Sequence, residues 1–180
     1  MIAWILQDWK VNAGRPDSRL LLAWFRLAQW AHSRWGPVGR PLVTLYSLSC
    51  LILLAVEIRP TVQIGPRLQL FHPHGIVLNP QTTLGSDCIL RHGVTVGNRA
   101  DREGAELGVA TIGDAVDLGA GCMIIGDIHV GDHARIGALA VVTKPVPDWG
   151  IVVGNPGKLI RVDDPAVPAV PTHSESTLAR

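Results

Sequence analysis

The sequence predicts an all-β fold, a parallel β-helix built from six-residue repeats and entered through a short α-helical leader. Three observations carry this expectation. Aliphatic residues recur every six positions at Ile112, Leu118, Ile124, Val130, Ile136 and Val142. Four of them are followed by glycine, at Gly113, Gly119, Gly131 and Gly137. A second series, Ala110, Val116, Cys122, Ile128, Ala134 and Ala140, stands two places ahead of the first. A period of six matches neither the 3.6 of a helix nor the 2 of a simple strand. It is the mark of a repeat solenoid whose coils stack on one another. So many successive hits at one spacing argue against a chance glycine-rich β-sandwich.

The leader comes first, over residues 1 to 57. Leu20, Leu21, Ala23, Trp24, Leu27, Ala28 and Ala31 recur at helical spacing, with Arg26 and Gln29 between them. Gly36, Pro37, Gly39 and Pro41 break that helix. A second apolar run, Leu42 to Val56, carries no charge before Glu57. It is shorter than the roughly 20 residues of a membrane span. Three readings stand: a helix packed on the protein or on another subunit, an interfacial membrane helix, or a true span.

The repeats fill residues 58 to 161. Upstream of Ile112 the period runs through Ile58, Ile64, Leu70 and Ile76, then two residues out of phase through Leu78, Leu84, Leu90 and Val96. Residues 98–109, NRADREGAELGV, interrupt it. They read as a loop reaching over a cleft, with Asn98 and Arg99 closest to the last regular repeat. Residues 162–180 mix proline, serine and charge without period, as a disordered tail does.

Composition narrows the function. Lys plus Arg (16) nearly balances Asp plus Glu (15), for a net charge of +1. Nucleic-acid binding normally needs a basic stripe, so no nucleic-acid partner is expected. The three cysteines, Cys50, Cys88 and Cys122, are far apart and include no CxxC pair. That fits a reducing cytoplasm and neither a disulfide framework nor a zinc site. The opening MIAWILQDWK lacks the features of a secretory signal peptide.

The string LFHPHGIVL (70–78) resembles the active-site segment of the serine acetyltransferases. LGAGCMIIGDIHVGDHARIGALAVVTKPVP (118–147) resembles their cofactor-binding half, and VVGNPGKLIR (152–161) their closing segment. LRHGVTVGNR (90–99) and the VEI entry at 56–58 are similar to the bacterial colanic acid and exopolysaccharide acetyltransferases. The resemblance implies a left-handed parallel β-helix of the hexapeptide-repeat acyltransferases, with acetyl-CoA as acyl donor and no metal. It also implies a homotrimer with active sites between subunits. Three departures point away from serine as acceptor. The leader is too short for a large helical domain, Phe71 stands where an aspartate is expected, and no histidine stands near Val109, where the family has a second one.

In that fold one coil takes three repeats. Carrying the two-residue slip and the insertion through puts His72, His92, Ala120 and Ala138 at one place on successive coils. His72 is then the expected general base, with His92 beside it. A neutral imidazole can take the proton of an attacking hydroxyl. Ala120 and Ala138 leave room for a pantetheine arm. Gly154, Asn155 and Lys158 are expected at the coenzyme A end, the lysine near a phosphate, and His74, Asn98 and Arg99 on the acceptor side. His129 and His133 fall outside this column. The expected reaction is O-acetylation of a sugar hydroxyl in exopolysaccharide assembly, on a small-molecule or lipid-linked saccharide. The place is the cytoplasm or the inner face of the plasma membrane, where the apolar leader would suit peripheral association. The alternatives are serine O-acetylation and a non-catalytic β-helix scaffold.

Overall fold

A computed structural model of the chain describes residues 1–100, 103–163 and 165. Apart from Val162, Asp163 and Pro165, the tail expected at 162–180 lies outside the described residues. Three parallel sheets form the walls of a triangular prism. The first stacks Glu57–Ile58, Val77–Leu78, Thr95–Gly97, Met123–Ile125 and Val141–Val142. The second stacks Gln63–Ile64, Thr83–Leu84, Thr111–Ile112 and His129–Val130. The third stacks Gln69–Phe71, Ile89–Arg91, Asp117–Leu118, Arg135–Ile136 and Gly150–Val153, and closes with the antiparallel strand Lys158–Val162.

Both aliphatic series point inward. Every member of the Ile112 and Ala110 series is buried. The glycines that follow sit where coils touch: a Cβ on Gly131 would lie 2.4 Å from the Asp148 nitrogen, so no side chain fits there. The phase slip is placed differently from the sequence reading. Ile58 pairs with Leu78 and Leu70 with Leu90, whereas Gly93 N donates to His74 O. That bond repeats Gly121 N to His92 O and Leu139 N to Ala120 O, so His74 holds His92's place in the backbone ladder, the two extra residues are His72 and Pro73, and Ile76 belongs with Val94 in the other interior column. The insertion also differs from a plain loop. Arg99–Ala100 and Glu106–Leu107 pair as an antiparallel hairpin.

The leader folds as α1 (Ile2–Ile5), α2 (Pro16–Trp35) and α3 (Arg40–Leu54), with a 3₁₀ turn at Gly36–Gly39. The last two form an antiparallel hairpin, held by Trp24 Nε1 donating to Ser49 Oγ at 3.1 Å and by the Trp24 and Phe25 rings on Tyr46. The apolar stretch Pro16–Leu54 is long enough to cross a membrane by length and composition. It folds back on itself, however, and packs against the β-helix, so it is not a straight span in this structure.

The buried face of α2 is not the one its apolar spacing suggests. Leu20 is 64% exposed, while Arg26 is 1% exposed. The reason is the open edge of the first coil, whose peptide groups have no coil beneath them. Leader side chains take that coil's place. Arg26 donates to Ile64 O and Gly65 O at 2.8 Å each, and Gln29 to Val62 O. Asn12 donates to Leu68 O and accepts from Leu70 N, as a strand peptide would. Asp8 accepts from Leu68 N, Ser18 donates to Leu70 O, and Tyr46 donates to Ile58 O. Asp8 and Arg26 also pair with each other at 2.8 Å, fully buried.

Removing one partner of a buried ion pair strands the other charge, which costs about 3–5 kcal/mol. Asp8→Ala should therefore lower the unfolding free energy by about that much, read from the urea midpoint at unchanged slope. A loss under about 1 kcal/mol would show the cap to be dispensable.

Burial pushes the Cys88 thiol up to about 11 and Cys122 up to about 12, from an ordinary 9.0. Burial raises the Tyr46 hydroxyl as well. The folded state therefore holds these protons more tightly than the unfolded chain. Their contribution is complete below about pH 9 and is lost as pH rises through 11 to 12. Urea midpoints should fall steeply across that range. The Cys88→Ala, Cys122→Ala double variant should flatten part of the fall, and an unchanged slope would contradict this account.

Candidate active site

The pairing of Leu70, Leu90, Leu118, Ile136 and Val152 across the third sheet fixes what lies two residues further on. His92, Ala120, Ala138 and Gly154 form one column at the corner between the third and first sheets, and His74, not His72 as the spacing predicts, stands at its foot in the backbone ladder, with His72 inserted just before it. Backbone bonds lock its steps: Gly121 N donates to His92 O and Leu139 N to Ala120 O, both at 2.9 Å. The rings of His72 and His92 lie 6.3 Å apart, inclined at 69°, and both side chains are exposed.

The inserted residues shape the turn at His72. His72 takes a left-handed φ of 56°, and His74 N donates to His72 O at 2.7 Å. Such a conformation costs a non-glycine residue about 1 kcal/mol or more and persists where the surroundings hold it. Here Gly75 N donates to Leu54 O at 3.0 Å, so the end of α3 buttresses the turn. His74 stands in the same turn, exposed.

Alongside the column, the preceding outward position reads Phe71, Arg91, Gly119, Gly137 and Val153. The side chains vanish after Arg91, which opens a groove of about 340 Å³ over Gly119, Ala120, Gly137 and Ala138. Arg91, Asp117 and Arg135 border it. The Arg91 guanidinium binds the Asp117 carboxylate and lies 5.6 Å from the Phe71 ring centre. On that ring also rests Arg15, at 3.9 Å. A bare, glycine-floored groove leading to two imidazoles can seat an extended thioester arm with its carbonyl near a base.

Gly154 and Asn155 lie in the turn between the last two strands, and Lys158 begins the final one, exposed opposite Val153. Asn98 and Arg99 are not brought to the histidines within one chain. They follow Thr95–Gly97 of the first sheet and precede the second, at the corner across the first sheet from the column. His129 is exposed on the second sheet, with its ring nitrogen 3.1 Å from Thr111 Oγ1, and His133 stacks on Trp149. The sequence reading missed Arg91, Asp117 and Arg135, although the stacking arithmetic that aligns His72 with His92 also aligns Phe71 with Arg91. It had no signal for Arg15, which arrives from the leader.

No family model matches the chain. Among curated proteins, it is 38% identical over 141 residues to the serine acetyltransferase of Mycobacterium tuberculosis, covering 78% of this chain and 59% of that one. The chain thus spans 59% of the length of that relative. It is 38% identical over 120 residues to an Escherichia coli protein described as the colanic acid biosynthesis acetyltransferase WcaB, covering 66% and 72%. The serine acetyltransferase of Helicobacter pylori is 35% identical over 156 residues, covering 86% and 87%. A short leader therefore does not by itself separate the chain from proteins of that name. A solved serine acetyltransferase in complex with CoA superposes with a TM-score of 0.71 at 25% identity, over 88% of this chain and 69% of that one. With its stacked hexads, its left-handed parallel β-helix and these relatives, the chain belongs to the hexapeptide-repeat acyltransferases, in the group that holds the serine and colanic acid acetyltransferases.

Proposed function

We propose that the chain is an acetyl-CoA-dependent O-acetyltransferase acting on a saccharide hydroxyl, with His72 as general base. The observation that carries this is the column running from two exposed imidazoles along a glycine-floored groove. The CoA complex of the related serine acetyltransferase supports the donor. The acceptor oxygen attacks the thioester carbonyl as His72 takes its proton. The tetrahedral intermediate then expels the coenzyme A thiolate, which recovers that proton from the imidazolium. No acyl-enzyme forms. His92, one coil away, orients His72 or the acceptor. Ala120, Ala138 and Gly154 line the cofactor path, with Asn155 and Lys158 at its far end. His74 contacts the acceptor from the catalytic turn.

The saccharide reading over serine rests on the site. A phenyl ring under two guanidiniums offers the ammonium of serine no carboxylate, and no histidine stands at Val109. We also propose a cytoplasmic homotrimer. The outward row of the first sheet runs Glu57, Val77, Thr95, Met123 and Val141, so beyond its charged first member it is mostly apolar, with Val77 and Met123 exposed. The histidine column flanks one edge of that sheet and the hairpin bearing Asn98 and Arg99 the other. Packing this sheet against a neighbour would bring one subunit's hairpin toward the next subunit's histidines.

General-base assistance is typically worth about 10²–10⁴-fold. His72→Ala should reduce kcat by that factor while coenzyme A binding, measured calorimetrically, stays nearly unchanged. Ala138→Leu should do the reverse and weaken coenzyme A first. If His72→Ala retains more than about a tenth of wild-type kcat, the base lies elsewhere.

Free serine should be a poor acceptor beside a saccharide panel when thiol release from acetyl-CoA is followed. Efficient turnover of serine, or growth rescue of a cysteine-requiring strain at normal expression, would overturn the saccharide reading in favour of serine O-acetylation.

A further inference from the structure

The two long leader helices leave a groove of about 430 Å³ between them. That lies within the range of about 300–1,000 Å³ typical of small-ligand sites. Its walls are Leu20, Leu21 and Trp24 of α2 and Cys50, Leu53 and Leu54 of α3. Two polar residues complete the lining, Asp17 and Ser49. Ser49 is already bonded, accepting from Trp24 Nε1 and donating to Tyr46 O. Leu20 and Leu53 are 64% and 75% exposed. This is a slot of leucine side chains open to water.

Its position matters more than its composition. The helices run antiparallel, and the lining comes from the first half of α2 and the last half of α3. The groove therefore lies at the end of the hairpin that meets the catalytic turn. Three contacts join the two: Leu54 O accepts from Gly75 N, Ser18 Oγ donates to Leu70 O, and the Arg15 guanidinium lies on Phe71, the residue before His72. Arg15 donates from Nη2 to Val11 O, its Nε is buried without a partner, and no salt bridge to a carboxylate is found for it among the described residues. The leader as a whole is cationic. Residues 1–57 hold six Lys or Arg (Lys10, Arg15, Arg19, Arg26, Arg34, Arg40) against Asp8, Asp17 and Glu57, in a chain of net charge +1. An apolar slot, an uncompensated cation and a base thus follow one another along one path.

We propose that the groove between α2 and α3 holds the hydrocarbon chain of the acceptor, an anionic lipid-linked saccharide whose charged linkage meets Arg15 and whose sugar hydroxyl reaches His72. This rests on the proposed transfer to a saccharide and names its class. The occupant is a single chain because the site is a concave slot beside the catalytic turn. A bilayer surface or a second copy would instead engage the outer ridge of α3, where Leu45, Leu48 and Ile52 are exposed.

The test is calorimetric titration of the full chain with monomeric dodecyl phosphate, decyl phosphate and inorganic phosphate, and with dodecyl maltoside as an uncharged amphiphile. Each buried methylene strengthens binding by roughly two- to fourfold, so dodecyl phosphate should bind about tenfold tighter than decyl phosphate. Inorganic phosphate alone should give no signal. Leu53→Asp and Leu20→Asp, at exposed positions, should each weaken dodecyl phosphate at least tenfold. Arg15→Gln should weaken dodecyl phosphate several-fold and leave dodecyl maltoside unchanged. Chain-length-independent binding, or affinity unaffected by both aspartates, overturns the proposal. So does sedimentation with phosphatidylglycerol–phosphatidylcholine vesicles that Leu48→Asp abolishes while Leu20→Asp and Leu53→Asp do not. A change of oligomeric mass on Leu53→Asp assigns the slot to a second copy and also overturns it. Thiol release from acetyl-CoA with short soluble saccharides separates the two readings. Turnover without chain dependence sinks the groove alone, whereas chain-dependent binding with no saccharide turned over sinks the acceptor reading.

Discussion

A β-helix has an open end, and everything in this chain before Glu57 answers that fact. The first coil presents peptide N–H and C=O groups over Val62–Leu70 that would be unmatched and partly buried, each worth about 1–3 kcal/mol if left so. The solution is a set of side chains, Asp8, Asn12, Ser18, Arg26, Gln29 and Tyr46, standing in for the missing strands. The Asp8–Arg26 pair is tolerable in the interior because its remaining hydrogen-bonding capacity goes to Leu68 N, Ile64 O, Gly65 O and Gln29 Oε1. At the other end the problem is smaller. The strand Lys158–Val162 turns back antiparallel and covers the third sheet.

That cap also builds the site. Docking α2 and α3 on the first coil puts Arg15 on Phe71 and the end of α3 under the His72 turn. The interior allows no slippage, because each coil must set its aliphatic residues over those below. Extra residues can therefore leave only at corners. His72 and Pro73 leave at the corner of the histidine column, and the ten-residue insertion leaves as a hairpin at another. Coil-to-coil steps of 20, 18 and 28 residues thus keep one register. The first of these exits is what gives His72 its left-handed backbone.

How much was legible in the sequence follows from this division. The hexad reading sees residues that point inward, and it placed both interior columns and the alignment of His92 with Ala120 and Ala138, whereas the two-residue insertion puts His74 rather than His72 in line with them and leaves the His72 ring beside that of His92. It placed Ile76 in the wrong column because either interior position accepts an aliphatic residue, so a two-residue shift leaves the pattern almost unchanged. It set Arg26 between the apolar positions of its helix and gave it no role, because nothing nearby in the chain marks a buried partner. The partners that bury it, Ile64 and Gly65, lie 38 and 39 residues away. Asn98 and Arg99 were read by nearness along the chain to the last regular repeat, which in a three-walled prism says nothing about nearness to a given corner.

The acceptor end of the site follows the same rule, that neighbours on successive coils decide chemistry. Phe71 stacks over Arg91 because their strands pair in register. Arg91 in turn reaches the Asp117 carboxylate one coil further on. That carboxylate is therefore committed, and it lies on the groove side of the arginine, away from Phe71. What faces an incoming acceptor beside His72 is an aromatic ring flanked by guanidinium groups, a surface that stacks on planar or apolar faces and attracts anions. Such a surface suits an acceptor that carries an anionic group better than one that carries an ammonium. In the proposed reading the hydroxyl chemistry lies with His72 and the acceptor choice with Phe71, the last residue of the strand before it.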